Sequence, residues 1–222
     1  MGVAENLQGI KEKVPAHVTL VAVSKTKPDE DIMEAYQAGH RDFGENKVQD
    51  LAAKQERLPA DIRWHMIGHL QSNKVKYLAS FVHILHGVDS LKLLSVVNRE
   101  AEKVNRVIDC LLQVRIALEE TKFGLSEEDL MLLIRSDTFR EMKHIRIRGL
   151  MGMATYTENS KQIREEFRHL KRIFDKLKDS DFKNQDSFDQ LSCGMSGDYA
   201  LAIEEGSNLV RIGSLIFGSR NY

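Results

Sequence analysis

The run Val21-Ala22-Val23-Ser24-Lys25-Thr26-Lys27-Pro28 decides how the chain is read. Small and β-branched apolar residues end in a lysine, and a proline then opens a new element. Such a run is a buried strand that delivers Lys25 just past its carboxyl end, the end at which sites collect in parallel α/β folds. A lysine at the edge of an apolar core loses hydration in its charged form, so its amine tends toward the neutral, nucleophilic state. Taken alone, the run equally suits a lysine that snorkels to solvent from a strand end. The rest of the chain has to choose.

Outward from this stretch the same rhythm repeats. Residues 5–13 carry Leu7 and Ile10 at helical spacing, with Val14 following, and stop at Pro15, which predicts a leading helix. Strands are expected at 18–24, 42–46 with its turn, 63–67, 81–88, 107–116, 145–153, 188–192 and 209–212. Helices fall between them. Pro28 with Asp29, Glu30 and Asp31 makes a helix start and Gly39 a stop, and 47–57 is helical. A short helix follows the 68–74 loop, and Asp89-Ser90 cap a helix with Leu91, Leu94, Val97, Ala101 and Val104 on one face. Ser126 with Asp129 resembles a capping box, and the longest helix buries Ile163, Phe167, Leu170, Phe174 and Leu177. A last helix covers 197–205 and closes at Gly206. Eight strands alternating with helices, without repeats or linkers, predict a single (β/α)8 TIM barrel with a leading N-terminal helix, residues 1–222 forming one domain. A doubly wound open sheet is the runner-up. A barrel would gather the loops after its strands, and with them Lys25, Asn46, Lys122, 192–197 and 211–214, on one rim.

Composition narrows the classes. A hydrophobic content of 42% supplies a sizeable core, and a formal net charge of -1 argues against a nucleic-acid binder. Cys110 and Cys193 are too few for a disulfide framework, which suits a reducing compartment. No apolar leader or membrane-length run is present, so a cytoplasmic protein is expected. His65 and His69 have i, i+4 spacing, but on a strand and a loop that does not put both on one face, and no metal site is expected. His83 and His86 read as residues bracketing strand four.

Two stretches look chemical. Ser192-Cys193-Gly194-Met195-Ser196-Gly197 joins the seventh strand to a helix with glycines and hydroxyls, the materials of a phosphate cradle. Arg211-Ile212-Gly213-Ser214 repeats the theme after the eighth strand, and barrels often bind phosphate with these two loops. Asp198 opposes this reading unless it points away. Arg211, in an apolar strand, needs either a carboxylate or a ligand such as a heteroaromatic nitrogen. A lysine nucleophile, a phosphate cradle and a ring-nitrogen partner on one rim are the three contacts of pyridoxal 5′-phosphate (PLP).

The motifs Ala22-Val23-Ser24-Lys25-Thr26-Lys27-Pro28, Phe43-Gly44-Glu45-Asn46, Trp64-His65-Met66-Ile67-Gly68, Leu70-Gln71-Ser72-Asn73-Lys74, Arg148-Gly149-Leu150-Met151, Gly194-Met195-Ser196 and Val210-Arg211-Ile212-Gly213 together resemble the YggS/PROSC family of PLP homeostasis proteins, in family order from about residue 20 to the end. The resemblance implies a barrel of the alanine racemase N-terminal-domain type. It implies that Lys25 takes the cofactor as a Schiff base. Ser192, Gly194, Met195, Ser196, Gly213 and Ser214 would hold the phosphate, Arg211 would face the pyridine nitrogen, and Asn46 and His65 would line the ring. The chain departs from the family pattern at Cys193, Ser214 and His69, where Met, Thr and Pro are common.

A permanently cationic arginine at the pyridine nitrogen weakens the ring as an electron sink. Alanine racemase draws its second base from a further domain that these residues do not provide. The expectation is therefore a monomeric PLP carrier or reservoir serving PLP-dependent client enzymes, with a weak amino-acid racemase as the alternative. Lys122 is a candidate secondary acceptor.

Overall fold

The computed structural model describes residues 2–117 and 123–219. Eight parallel strands, β1 (Thr19–Val23), β2 (Asp42–Glu45), β3 (Arg63–Met66), β4 (Ile84–Val88), β5 (Ile108–Gln113), β6 (Ile145–Met151), β7 (Gln190–Ser192) and β8 (Leu209–Ile212), close into a barrel in chain order. Closure is made by β8 against β1, with Val21 opposite Arg211 and Ala22 opposite Ile212. Helices α1 (Val3–Lys11), α2 (Asp29–Gln37), α3 (Val48–Arg57), α4 (Leu91–Lys103), α5 (Glu127–Arg135), α6 (Asp137–Arg140), α7 (Ser160–Asp179), α8 (Tyr199–Glu204) and α9 (Ser214–Phe217) accompany them, with a 3-10 helix at Ser72–Tyr77. The expected (β/α)8 fold is the observed one.

Local chemistry sets the ends. The Ser90 hydroxyl accepts the Leu93 N–H and starts α4. Ser126 accepts the Asp129 N–H at 3.0 Å, and its hydroxyl donates to the Asp129 carboxylate at 2.7 Å. Asp129, one methylene shorter than Glu, thus bonds the capping hydroxyl rather than the backbone behind it.

Several strands are shorter than their apolar runs predict. Burial there comes from packing instead of the ladder. Phe188, read as strand, stays fully buried by stacking on Phe182 at 4.2 Å and Phe174 at 5.0 Å. Val82 ends a turn whose N–H bonds Leu78, two residues before β4 begins. The short α6 and α9 are not anticipated in the sequence. α9 and α2 both pack on α1, which fills the outer layer where the four-residue α9 leaves it short.

The main core lies between strands and helices and includes Leu20, Phe43, Trp64, Met66, Leu85, Leu191, Val210 and Ile212. Side chains alternate across a strand, so the residues beside these face inward. The interior therefore receives Asp42, His65, His86, Ser192 and Arg211. Among the described residues Ile84, Leu111 and Met151, with Met153 against them, form a separate apolar cluster. At the strands' amino ends the barrel closes on ion pairs: Arg63 with Asp42, Arg146 and Arg148 with Asp109, and Arg148 with Asp189.

Candidate functional site

Lys25 follows β1 in a tight turn in which the Lys27 N–H bonds the Ser24 carbonyl at 3.1 Å. The turn is anchored from below. Fully buried Ser24 donates its hydroxyl to Glu45 Oε1 at 2.7 Å, and Lys54 from α3 donates to the same oxygen at 2.7 Å and to the Ser24 carbonyl at 2.9 Å. Glu45 is fully buried and its second oxygen, Oε2, has no hydrogen-bond partner among the described residues. A buried ion pair of this kind stays favourable only while its geometry holds. Above it, Thr26 takes a left-handed φ of 65°, an uncommon conformation for a β-branched residue. Lys27 is tied away, donating to the carbonyls of Phe217 at 2.7 Å and Ser219 at 3.1 Å. The turn therefore presents Lys25, half-buried, at the barrel mouth.

Barrel order brings the expected residues beside it. Ser24 N–H bonds the Gly44 carbonyl, which sets half-buried Asn46 next to the lysine turn. Gly68 lies so close to Asn46 that a Cβ there would meet the Asn46 carbonyl oxygen at 2.4 Å, so only glycine fits between these loops. On the other flank Gly213 and Ser214 follow β8, the strand paired with β1. The 192–197 loop comes next, since the Arg211 N–H bonds the Gly194 carbonyl at 3.0 Å. Gly194 has a φ of 95°, and a Cβ on it would sit 2.7 Å from that of Ala202. The two loops touch where the Gly213 N–H donates to Ser196 Oγ at 3.2 Å.

The amides of Ser196, Gly197, Ser214 and Leu215 have no acceptor among the described residues, so donors remain for an anion. Met195 differs. Its N–H donates to Asp198 Oδ1 at 2.5 Å, so the aspartate seen as an obstacle in the sequence occupies one cradle donor itself.

Arg211 is buried, 4% exposed, at the mouth end of β8. Its guanidinium donates to Ser192 Oγ and, at 3.2 Å, to the Gly152 carbonyl, and no carboxylate bonds it among the described residues. Burial lowers its pKa, partly opposed by Cys193 and Asp198. The carboxylate partner that the sequence left open is absent from its hydrogen bonds, and the group retains donors for a ligand.

His65 lies in the interior, 1% exposed. Its Nδ1 is 3.0 Å from His86 Nε2 and its Nε2 3.1 Å from Asp42 Oδ1. Asp42, His65 and His83 have potential ligand atoms within 4.8 Å of one another, but Asp42 is also held by Arg63 and both His65 nitrogens are engaged. His69 pairs with Asp89 at 3.2 Å and stacks on Phe123 at 4.1 Å. Lys122 lies outside the described residues. Burial pushes the Cys193 thiol up to about 11, which keeps it unreactive.

The sequence reading missed Glu45, Lys54 and His86. One signal for Lys54 was available: it continues the Val48, Leu51 stripe of α3, where an apolar residue is due.

The chain matches the family described as "Alanine racemase, N-terminal domain" over residues 2–221. A pyridoxal phosphate homeostasis protein of Aquifex aeolicus is 41% identical over 204 residues, covering 91% of this chain and 87% of its own. One from Haemophilus influenzae is 35% identical, covering 100% and 98%. The structure of PipY from Synechococcus elongatus with PLP bound has a TM-score of 0.89 at 35% identity, covering 97% of this chain and 100% of that one. Alanine racemase from Bartonella henselae shares the fold, with a TM-score of 0.73 at 18% identity over 99% of this chain and 60% of that one. Among the described residues no helix is long and apolar enough to cross a membrane.

Proposed function

Because the chain belongs to the alanine racemase N-terminal-domain family, we propose that it binds pyridoxal 5′-phosphate reversibly and serves intracellular PLP homeostasis as a carrier or reservoir. The observation that carries this reading is Arg211, a buried guanidinium with no carboxylate bonded to it among the described residues, beside two glycine loops with open amides and one strand from Lys25. When bound, PLP supplies an aldehyde that condenses reversibly with an amine and a ring able to accept electrons. Lys25 is the amine. The amides of Ser196, Gly197, Ser214 and Leu215 hold the phosphate, with the Gly194, Met195 and Gly213 backbone shaping the cradle. Arg211 can only donate, so at the ring nitrogen it opposes protonation and weakens the ring as an electron sink. Asn46 borders the ring. These residues bind and orient the cofactor without powering carbanion chemistry.

Residues 1–222 act as one PLP-binding domain, a monomer of the cytoplasm whose clients are PLP-dependent enzymes. The two free, buried cysteines suit that compartment. The test is exchange of the α-proton of L- or D-alanine in D₂O by the PLP-loaded protein. The expected result is no exchange at an enzymatic rate, together with delivery of PLP to an apo-enzyme. Lys25-dependent exchange at an enzymatic rate would establish the racemase instead.

A further inference from the structure

A chain of hydrogen bonds crosses the barrel interior from mouth to base through five strands. Arg211 on β8 donates to Ser192 Oγ on β7. Ser192 Oγ lies 3.2 Å from His86 Nδ1 on β4, His86 Nε2 lies 3.0 Å from His65 Nδ1 on β3, and His65 Nε2 lies 3.1 Å from Asp42 Oδ1 on β2. His86 is fully buried and His65 and Ser192 are at most 1% exposed, so the middle of the path is shielded from water.

Its two ends fix the direction of the protons beside them. A guanidinium has no acceptor and an ionised carboxylate has no proton to give. Burial alone would raise the Asp42 pKa, but the hydrogen bonds from Arg63 and His65 outweigh it and keep the carboxyl well below its usual range. His65 Nε2 must then carry the proton that Asp42 accepts. Two orders then satisfy the middle: His86 donates from Nε2 to His65 Nδ1, or His65 Nδ1 donates to His86 Nε2, and only the first runs every proton toward Asp42. Burial holds His86 well below the ordinary imidazole range and hence neutral, so in that first order its Nδ1 accepts the Ser192 hydroxyl proton. Ser192 Oγ in turn accepts from Arg211.

We infer that this chain is a charge relay in which Asp42 at the base is the remote counter-ion of Arg211 at the mouth, with each intervening proton donated toward Asp42. Arg63 shares the Asp42 carboxylate, and His83 packs edge-on to His65 at 5.3 Å. Consecutive donors aligned in one direction polarise each other, which suits a guanidinium to which no carboxylate among the described residues is hydrogen-bonded. His86 and His65 are thus positioning residues for Arg211. The Ser192 hydroxyl is committed to His86, so Ser192 orients Arg211 and the phosphate falls to the backbone amides. The consequence for the cofactor rests on the PLP reading, whereas the proton order does not.

The test has two arms. In cofactor-free protein labelled with ¹⁵N-histidine, long-range ¹H–¹⁵N spectra near neutral pH should show His65 and His86 neutral and protonated on Nε2. A proton on His86 Nδ1, or a charged His65, would overturn the relay. In the second arm PLP affinity and the visible absorption maximum are compared for wild type, His86→Leu and His86→Gln. The leucine variant should lose about tenfold or more in affinity, the expected scale for removing a hydrogen bond in a network to a charged group. It should also shift the band. Glutamine, with an adjacent acceptor and donor, should restore most of both. Leucine and glutamine variants that both match wild type would refute the positioning role. If His86→Leu fails to fold, the wild-type spectra decide. If wild type binds no PLP, the cofactor reading fails while the spectra still judge the proton order.

Discussion

The two ends of this barrel are built from opposite materials. At the base, charges are matched: Asp42 with Arg63, and Asp109 with Arg146 and Arg148. At the mouth, a buried arginine meets a hydroxyl and a carbonyl, and backbone amides stand open beside glycines. Matched charges stabilise and are spent on the fold. Unmatched donors at the carboxyl ends of parallel strands are where a ligand binds, and the difference separates stability from function along one axis. The Ser24–Glu45–Lys54 cluster is the exception, a base-like ion pair placed under the mouth to hold the lysine turn.

Acid should break the comparison from the base and the middle, with the largest effect. Burial lowers His40 and His83 from 6.5 to about 4, and His86 well below its ordinary value. The unfolded chain then binds protons that the folded chain refuses. Stability from these groups is complete above pH 6.5 and is lost as pH falls toward about 4. His40 alone is worth on the order of 3 kcal/mol across that window. Urea melts from neutral to acid pH should show the decline, and a flat profile would contradict the buried neutral imidazoles. Next in size, Lys54→Met strands the Glu45 carboxylate and should cost about 3–5 kcal/mol. It should also weaken PLP binding by the folded protein, because the Ser24 carbonyl loses its donor. Asp109→Asn, at the base, should cost about 1.5–3 kcal/mol and leave PLP affinity unchanged. Loss of PLP affinity there would erase the division between the ends. Smallest, Thr26→Gly should raise stability by up to about 1 kcal/mol, less the entropy of glycine, by relieving the left-handed φ. A urea melt checks the sign.

The alternation that gives the barrel was legible because each strand is a short apolar run and each helix has its own cap and stripe. Strand limits were not, since Phe188 and Val82 are buried without being in the ladder. The lysine and the glycine loops were legible as local chemistry at strand ends. The interior chain was hidden for a different reason. Asp42, His65, His86, Ser192 and Arg211 come from five strands, and only closure and inward parity join them. His65 therefore read as a ring-lining residue and His86 as a bracket of its strand. Glu45 was eclipsed by its neighbour Asn46 in the same motif, although Lys54 on a buried helix face pointed to it.

The central claim is that the turn after β1 presents Lys25, and no neighbouring lysine, to the cofactor. The most direct test is borohydride reduction of the PLP-loaded protein followed by peptide mapping, with Lys25→Ala run beside it. The account predicts a single labelled site at Lys25 in the wild type and loss of the bound visible band in the variant, with its melting transition retained. Label on Lys27 or Lys74 in the wild type, or a band that survives in Lys25→Ala, would contradict it.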